Sequence, residues 1–298
     1  MGLGAAGLGA RATLAETAPT ETPWRRAIPG SGESIPVIGM GTWGTFDVRG
    51  DPVAMDARRR VLQAFFEQGG TLIDSSPMYA SSEYVLGELL PQVSGRERLF
   101  AATKVWTPGR SAGLRQMERS REFWGVERFD LMQIHNMLDW QTHLDTLREW
   151  KRSGRIRYLG ITTSHGRRHD ELERALKSVD FDFVQFTYNI LDREAEQRLL
   201  PLAQERGIAV IINRPFQRGA LFSRVQGKRL PAWAAEFDCT NWAQFFLKFI
   251  VSHPAVTCAI PATTKLNHLR ENMGAGFGRL PDAELRQRMI EYYSRLSA

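Results

Sequence analysis

The segment TLIDSSPMY (residues 71–79) decides how this chain is read. Leu72 and Ile73 form a short apolar run that closes on a carboxylate, Asp74, and a Ser-Ser-Pro turn follows with Tyr79 at its end. A brief apolar run bounded by turn residues is the pattern of a strand buried on both faces. Just upstream, Val61, Leu62, Phe65 and Phe66 recur at three- and four-residue spacing, and the run stops at Gly69-Gly70. That is an amphipathic helix with a glycine stop. Helix, strand and polar turn therefore meet within twenty residues.

The same unit repeats in both directions. Strands are expected near Pro36 to Met40, Thr71 to Ser75, Leu99 to Val105, Asp130 to His135, Arg157 to Thr162, Phe183 to Phe186, Ala209 to Asn213 and Thr257 to Pro261. Between them lie helical faces such as Leu144, Leu147 and Trp150, then Leu172, Ala175 and Leu176, then Leu199, Leu200 and Ala203. Alternating strands and helices imply a parallel sheet, because each parallel neighbour needs a crossover. Eight such units point to the α/β class and a closed parallel (β/α)8 TIM barrel. An open doubly wound sheet has the same alternation, but no glycine-rich GxGxxG turn follows the first strand. Residues Asp282 to Leu296 form one more amphipathic segment, an extra C-terminal helix for the outside of the barrel. The connection from Pro215 to Asp238 is long enough to suggest a functional loop.

Bulk properties narrow the function. The 298 residues are 43% hydrophobic and 24% charged, with no apolar run of membrane-spanning length, so a globular chain without a membrane span is expected. The formal charge of +6 comes from Lys and Arg interspersed with acids. That pattern argues against nucleic acid and suits a mild attraction for an anionic cofactor or substrate. Cys239 and Cys258 have neither metal spacing nor a disulfide framework, and no metal site is expected. Residues 1–22 are Ala/Gly-rich and lack a basic start, as in a disordered tail or the remnant of an export leader. Location is accordingly cytoplasmic or, for a truncated leader, periplasmic. Residues 23–298 read as a single barrel domain, a monomer or weak homo-oligomer.

In a parallel barrel the active site lies at the C-terminal ends of the strands. The residues collected there are Asp74, Lys104 and His135, with Tyr79 five positions past Asp74. Singly, each has a structural explanation as a turn former, packing group or satisfied core residue. Together they form an acid–base set: an ammonium beside Tyr79 is expected to lower the phenol's pKa, Asp74 to hold Lys104, and His135 to orient a carbonyl oxygen. Such a site protonates an oxygen and needs a separate hydride source.

The segments IDSSPMY (73–79), SSEYVLGELL (81–90), ATK (102–104), LMQIHN (131–136) and IPATTKLNHLREN (260–272) resemble the aldo-keto reductases, in order and over most of the chain. The resemblance implies a barrel that binds NADPH, with NADH less favoured, and a catalytic tetrad of Asp74, Tyr79, Lys104 and His135. The substrate implied is a small aldehyde or ketone, reduced to an alcohol with Tyr79 as general acid. It places Gly41, Thr42 and Trp43 near cofactor and substrate, and Thr162, Thr163 and Gln185 at the nicotinamide carboxamide. Asn213, Arg214, Pro215 and Phe216 stand in the turn that meets the nicotinamide, where Asn213 replaces the usual aromatic ring and Phe216 is a substitute. Thr263, Thr264, Lys265, His268, Glu271 and Asn272 stand at the adenosine end, with Lys265 expected to favour the extra phosphate of NADPH. Ala80, Ala262 and His268 also depart from the family's usual residues. Trp43, Trp106, Met137 and Trp140 follow strand ends and are expected to line an apolar substrate pocket. A different class of function is a cofactor-binding regulatory or sensor subunit with little turnover. A barrel glycosidase would need two facing carboxylates that the strand ends do not supply.

Overall fold

A computed structural model describes residues 22–296; the stretch expected to be a tail or leader remnant lies outside them except for Thr22. The chain begins with an antiparallel hairpin, β1 (Arg25–Ala27) and β2 (Ser34–Pro36). Eight parallel strands follow in consecutive order: β3 (Met40–Gly41), β4 (Leu72–Asp74), β5 (Phe100–Val105), β6 (Phe129–Ile134), β7 (Ile156–Thr162), β8 (Phe183–Thr187), β9 (Ala209–Asn213) and β10 (Cys258–Ala259). The last strand returns to the first: Ile38 pairs with Ala259, whose N–H donates to Val37 O at 2.9 Å while Gly39 N–H donates to Ala259 O at 2.9 Å. The sheet is thus a closed (β/α)8 barrel, and no edge is left open between its ends.

Helices cover the outside in strand order: α1 (Pro52–Glu67), α2 (Ser82–Leu89), α3 (Arg110–Trp124), α4 (Trp140–Arg152), α5 (His169–Ser178) and α6 (Leu199–Glu205). The connection after β9 contains a single-turn helix, α7 (Ala220–Ser223), and a 3-10 segment at Ala232–Phe237, before α8 (Trp242–Val251). Then come α9 (Leu266–Gly274) and α10 (Ala283–Arg295), the last packing outside through Met289 and Tyr293. Local chemistry sets several starts. Asp51 caps α1 by accepting from Ala54 N at 3.0 Å, with Pro52 at the first helical position; Asn241 caps α8 and Asp282 caps α10 in the same way. Among the described residues no helix is long and apolar enough to cross a membrane.

Two apolar layers hold the barrel. Phe65, Leu86, Leu147, Leu176, Leu200 and Phe249 are among those that fill the space between sheet and helices. A smaller cluster, including Leu72, Phe100, Leu131, Phe183, Ile211 and Cys258, fills the barrel interior toward its N-terminal end. Ile28 and Ile35 from the hairpin belong to that inner cluster, so the hairpin plugs the bottom of the barrel. Glu33 secures it through Arg157 and the Tyr158 hydroxyl. The hairpin is absent from the sequence expectation because Arg25–Ala27 has a single apolar residue and is too short to show a period. The outer barrel strands are also shorter than expected, Met40–Gly41 and Cys258–Ala259, since only the residues that pair at the closure are regular. The connection at 215–238 carries more helix than its composition suggests.

Candidate active site

Strand alternation carries the site. Leu72, Phe100, Leu131 and Phe183 point into the barrel, so Asp74, Lys104, Gln133 and Gln185, each an even number of residues later, point into it nearer the C-terminal end. Lys104 Nζ donates to Asp74 Oδ1 at 2.5 Å and to Ser75 O at 2.8 Å, with neither side chain more than 2% exposed. Asp74 Oδ2 accepts from Gln133 Nε2 at 2.9 Å and from Gln185 Nε2 at 3.1 Å. A buried ion pair is sustainable when its remaining hydrogen-bonding positions are filled, as they are here. Burial by itself would depress the Lys104 pKa, but Asp74 and Tyr79 outweigh it and the ammonium is held above its usual range.

Tyr79 stands in the loop between β4 and α2, with the Lys104 nitrogen 5.1 Å from its ring centre. Burial raises its pKa, Lys104 offsets part of that rise, and the net direction is upward. Lys104 does lower the Tyr79 pKa as expected, but desolvation of the phenolate exceeds the attraction of the ammonium, so the net shift expected from Lys104 is reversed. At neutral pH Tyr79 holds its proton. His135 follows β6 directly and meets the Tyr79 ring edge-on at 5.8 Å. Ser76 Oγ lies 2.8 Å from its Nδ1. Burial, reinforced by Lys104, depresses the imidazole to about 2, so the ring is neutral throughout the physiological range.

That depression predicts a stability profile. An unfolded imidazole titrates near 6.5, so the contribution of neutral His135 is complete above that pH and is lost as pH falls below it. The loss is about 1.4 kcal/mol per pH unit, roughly 2 kcal/mol by pH 5. Calorimetric melting of the wild type and His135→Gln between pH 7 and 5 should show the shallower decline in the variant. Parallel declines would mean that His135 titrates normally in the fold.

Above these groups opens a cavity of about 1040 Å³. From the first barrel loop it is lined by Gly41, Thr42 and Trp43, and from the β4 and β6 loops by Asp74, Tyr79 and His135. Thr162, Gln185 and the run Asn213, Arg214, Pro215 and Phe216 form its next wall. Thr263, His268, Glu271 and Asn272 close the far end. Gly41 permits the approach of the adjacent strand, since a Cβ there would lie 2.9 Å from Ile260 O.

Other expected residues fall elsewhere. Lys104 is beneath the wall, fully buried. Thr264 and Lys265 are not in the wall; Lys265 is exposed at the N-cap of α9, where its N–H donates to Thr263 Oγ1 at 3.1 Å. Of the four pocket side chains, only Trp43 lines the cavity. Trp106 is 41% exposed beside it, its ring 6.3 Å from that of His135. Met137 is in the core and Trp140 packs half-buried against it, because the left-handed turn at Asn136 and Met137 directs the chain away from the mouth. Thr163 is turned from the main cavity into a smaller one of about 200 Å³ beside it.

The arrangement also shows partners that the sequence did not suggest. Gln133 and Ser76 support Asp74 and His135 as described, and Gln133 was discoverable from its even spacing before His135. Asn213 spends its amide inward, donating to Thr163 O at 2.9 Å and Gln185 Oε1 at 3.3 Å while accepting from Thr187 Oγ1 at 2.7 Å. Phe216 packs against Phe222 at 4.9 Å within the cavity wall. Arg218 lies over the Trp43 ring at 4.1 Å, joining the β9 loop to the β3 loop across the mouth.

A nicotinamide dinucleotide fits these residues. The volume is at the upper end of small-molecule sites, enough for a large cofactor beside a small substrate. Arg214 Nε is buried without a hydrogen-bond partner. Among the described residues, neither Arg214 nor Arg218 has a carboxylate within ion-pair distance. Guanidinium groups on a cavity wall with no carboxylate to neutralise them suit a diphosphate. The same residues contain no group of three or more potential metal ligands among those described.

A closed parallel barrel with a phenol, ammonium, carboxylate and imidazole at its C-terminal mouth is the frame of one oxidoreductase family, and residues 37–288 match the model of the Aldo/keto reductase family. The chain belongs to that family. It is 27% identical over 264 residues to the methylglyoxal reductase YeaE of Escherichia coli (strain K12), covering 85% of this chain and 89% of that protein. It is also 27% identical over 234 residues to an NADH-specific methylglyoxal reductase of the same organism, covering 66% and 68%. Among solved structures, an aldo/keto reductase of Klebsiella pneumoniae in complex with NADP and acetate superposes with a TM-score of 0.73 at 23% identity, over 90% of this chain and 94% of that one.

Proposed function

We propose that the chain is an NADPH-dependent carbonyl reductase that converts a small aldehyde or ketone to the alcohol. The observation that carries this reading is the Lys104–Asp74 pair at 2.5 Å directly beneath Tyr79, beside neutral His135 in the cavity wall. The nicotinamide cofactor would supply hydride. Tyr79 retains its proton and delivers it from its hydroxyl to the carbonyl oxygen. Lys104 stabilises the phenolate left behind, and Asp74 holds Lys104 in place. Ser76 Oγ is paired with His135 Nδ1, which leaves Nε2 facing the cavity; carrying the imidazole proton, Nε2 would donate to the same oxygen. Arg214 and Arg218 would hold the diphosphate. Thr263, His268 and Asn272 would receive the adenosine end.

Lys265, at the start of the helix that carries His268 and Glu271 into the wall, is the cation we assign to the additional phosphate of NADPH. A panel of aldehydes and ketones assayed with both cofactors tests the reading. Turnover with NADPH is expected, NADPH binding at least fivefold tighter than NADH, with Lys265→Ala narrowing that ratio, on the scale of one exposed charge–phosphate contact. Cofactor binding without oxidation by any carbonyl would point instead to a sensor subunit. Equal affinities in the parent protein would remove the assigned preference.

A further inference from the structure

Beside the main cavity is the smaller one of about 200 Å³, lined by Asn136, Thr163, Ser164, Arg167 and Arg168. Asn136, Ser164 and Arg167 also line the main cavity, so the two share a wall immediately after the catalytic His135. Thr163 is only 2% exposed, yet its hydroxyl has no hydrogen-bond partner. A buried unpartnered donor is costly unless a ligand or water completes it.

The two arginines of this pocket differ. Arg168 is committed: its guanidinium is paired with Glu171 and donates to Asn136 O at 2.8 Å. Arg167 has no carboxylate partner among the described residues. The hydrogen-bond network beside it runs through uncharged groups and Arg214, with Asp192 acting on His165 and Arg214 through space. His165 Nε2 lies 2.6 Å from Arg214 Nη1 and His165 Nδ1 2.9 Å from Ser164 Oγ, which in turn donates to Asn136 Oδ1 at 3.2 Å. That chain of hydrogen bonds ties the β9, β7 and β6 loops together and leaves Arg167 with its donors free. Arg214 and Arg218 belong to the β9 loop, on the path between the nicotinamide and adenosine ends. Arg167 is on the β7 loop, beside the residue that follows the carbonyl-orienting histidine.

We propose that the substrate is a carbonyl compound that also carries a carboxylate, an oxo acid, and that Arg167 and the Thr163 hydroxyl hold the carboxylate in the side pocket. A planar guanidinium and a hydroxyl donor match the two acceptor oxygens of such a group. The proposal rests on the carbonyl-reductase reading and adds to it the substrate class and the residues that select it.

The test compares 4-oxobutanoate and 5-oxopentanoate with butanal and pentanal, in the wild type and in Arg167→Met. The wild type should prefer each acid over its neutral counterpart by at least tenfold in kcat/KM. Arg167→Met should raise KM for the acids by about 10- to 100-fold, the range for a charge-assisted contact. It should leave kcat, the neutral aldehydes and the Kd of NADPH unchanged. Arg167→Lys should recover part of the acid preference, and Thr163→Val should raise the acids' KM severalfold. Equal use of acids and neutral aldehydes by the wild type would overturn the proposal. So would an Arg167→Met variant that binds NADPH weakly, since the guanidinium would then serve the diphosphate. Succinate binding to the protein loaded with NADP+, followed by tryptophan fluorescence, gives a readout independent of turnover: binding that Arg167→Met weakens tenfold is expected. If no carbonyl is reduced but succinate still binds through Arg167, the reductase reading fails and the anion site stands. If carbonyls are reduced and succinate does not bind, the site fails alone.

Discussion

Lys104→Met is expected to lower kcat by two or more orders of magnitude and to destabilise the fold in the same step. In the proposed mechanism the ammonium stabilises the phenolate formed at Tyr79, and assistance of that kind contributes about 10²- to 10⁴-fold. Its removal also leaves the Asp74 carboxylate buried, supported only by Gln133 and Gln185. Breaking one side of a buried pair costs about 3–5 kcal/mol. The two effects separate in a double variant. Lys104→Met with Asp74→Asn removes the orphaned charge, so melting temperature should recover while turnover does not. Steady-state NADPH oxidation and thermal melts of the single and double variants supply the measurement. Wild-type rates in Lys104→Met would take that residue out of the mechanism.

Tyr79→Phe should reduce turnover by a similar factor for a different reason. The ring keeps its edge-on packing against His135 and its place above Lys104, while the proposed proton donor is lost. Cofactor affinity should stay within about twofold, and the melting temperature should change little, as for substitutions that remove no core packing. Single-turnover oxidation of bound NADPH measures the chemical step directly. A variant that still reduces carbonyls at the parent rate would assign proton donation to another group, with water held by His135 the first to examine.

The convergence of Asp74, Tyr79, Lys104 and His135 was legible because strand ends in a parallel barrel meet at one mouth, and because Asp74, Lys104 and His135 stand at the ends of consecutive apolar runs. What was not legible was direction. Met137 and Trp140 follow the same strand end as His135, yet the left-handed turn at Asn136 and Met137 carries them into the core and wall of the barrel. Thr163 follows Thr162 but faces a different cavity, since neighbours in sequence at a strand end point to opposite sides. Asn213 was expected where the family places an aromatic ring, and only its contacts show that its amide is spent on Thr163, Gln185 and Thr187. The Tyr79 shift was read with the wrong sign because charge proximity can be inferred from sequence, whereas desolvation depends on everything packed around the phenol.

Sequence alone determined the number and order of the βα units, the class of fold, and the meeting of Asp74, Tyr79, Lys104 and His135 at its mouth. Those follow from apolar periodicity and chain order, which are local properties. The tertiary structure decided which side chains face the cavity, which arginines are already paired, and that the mouth has a second chamber beside it. Those depend on how distant loops meet, and burial and pairing are properties of the assembled neighbourhood rather than of any one segment.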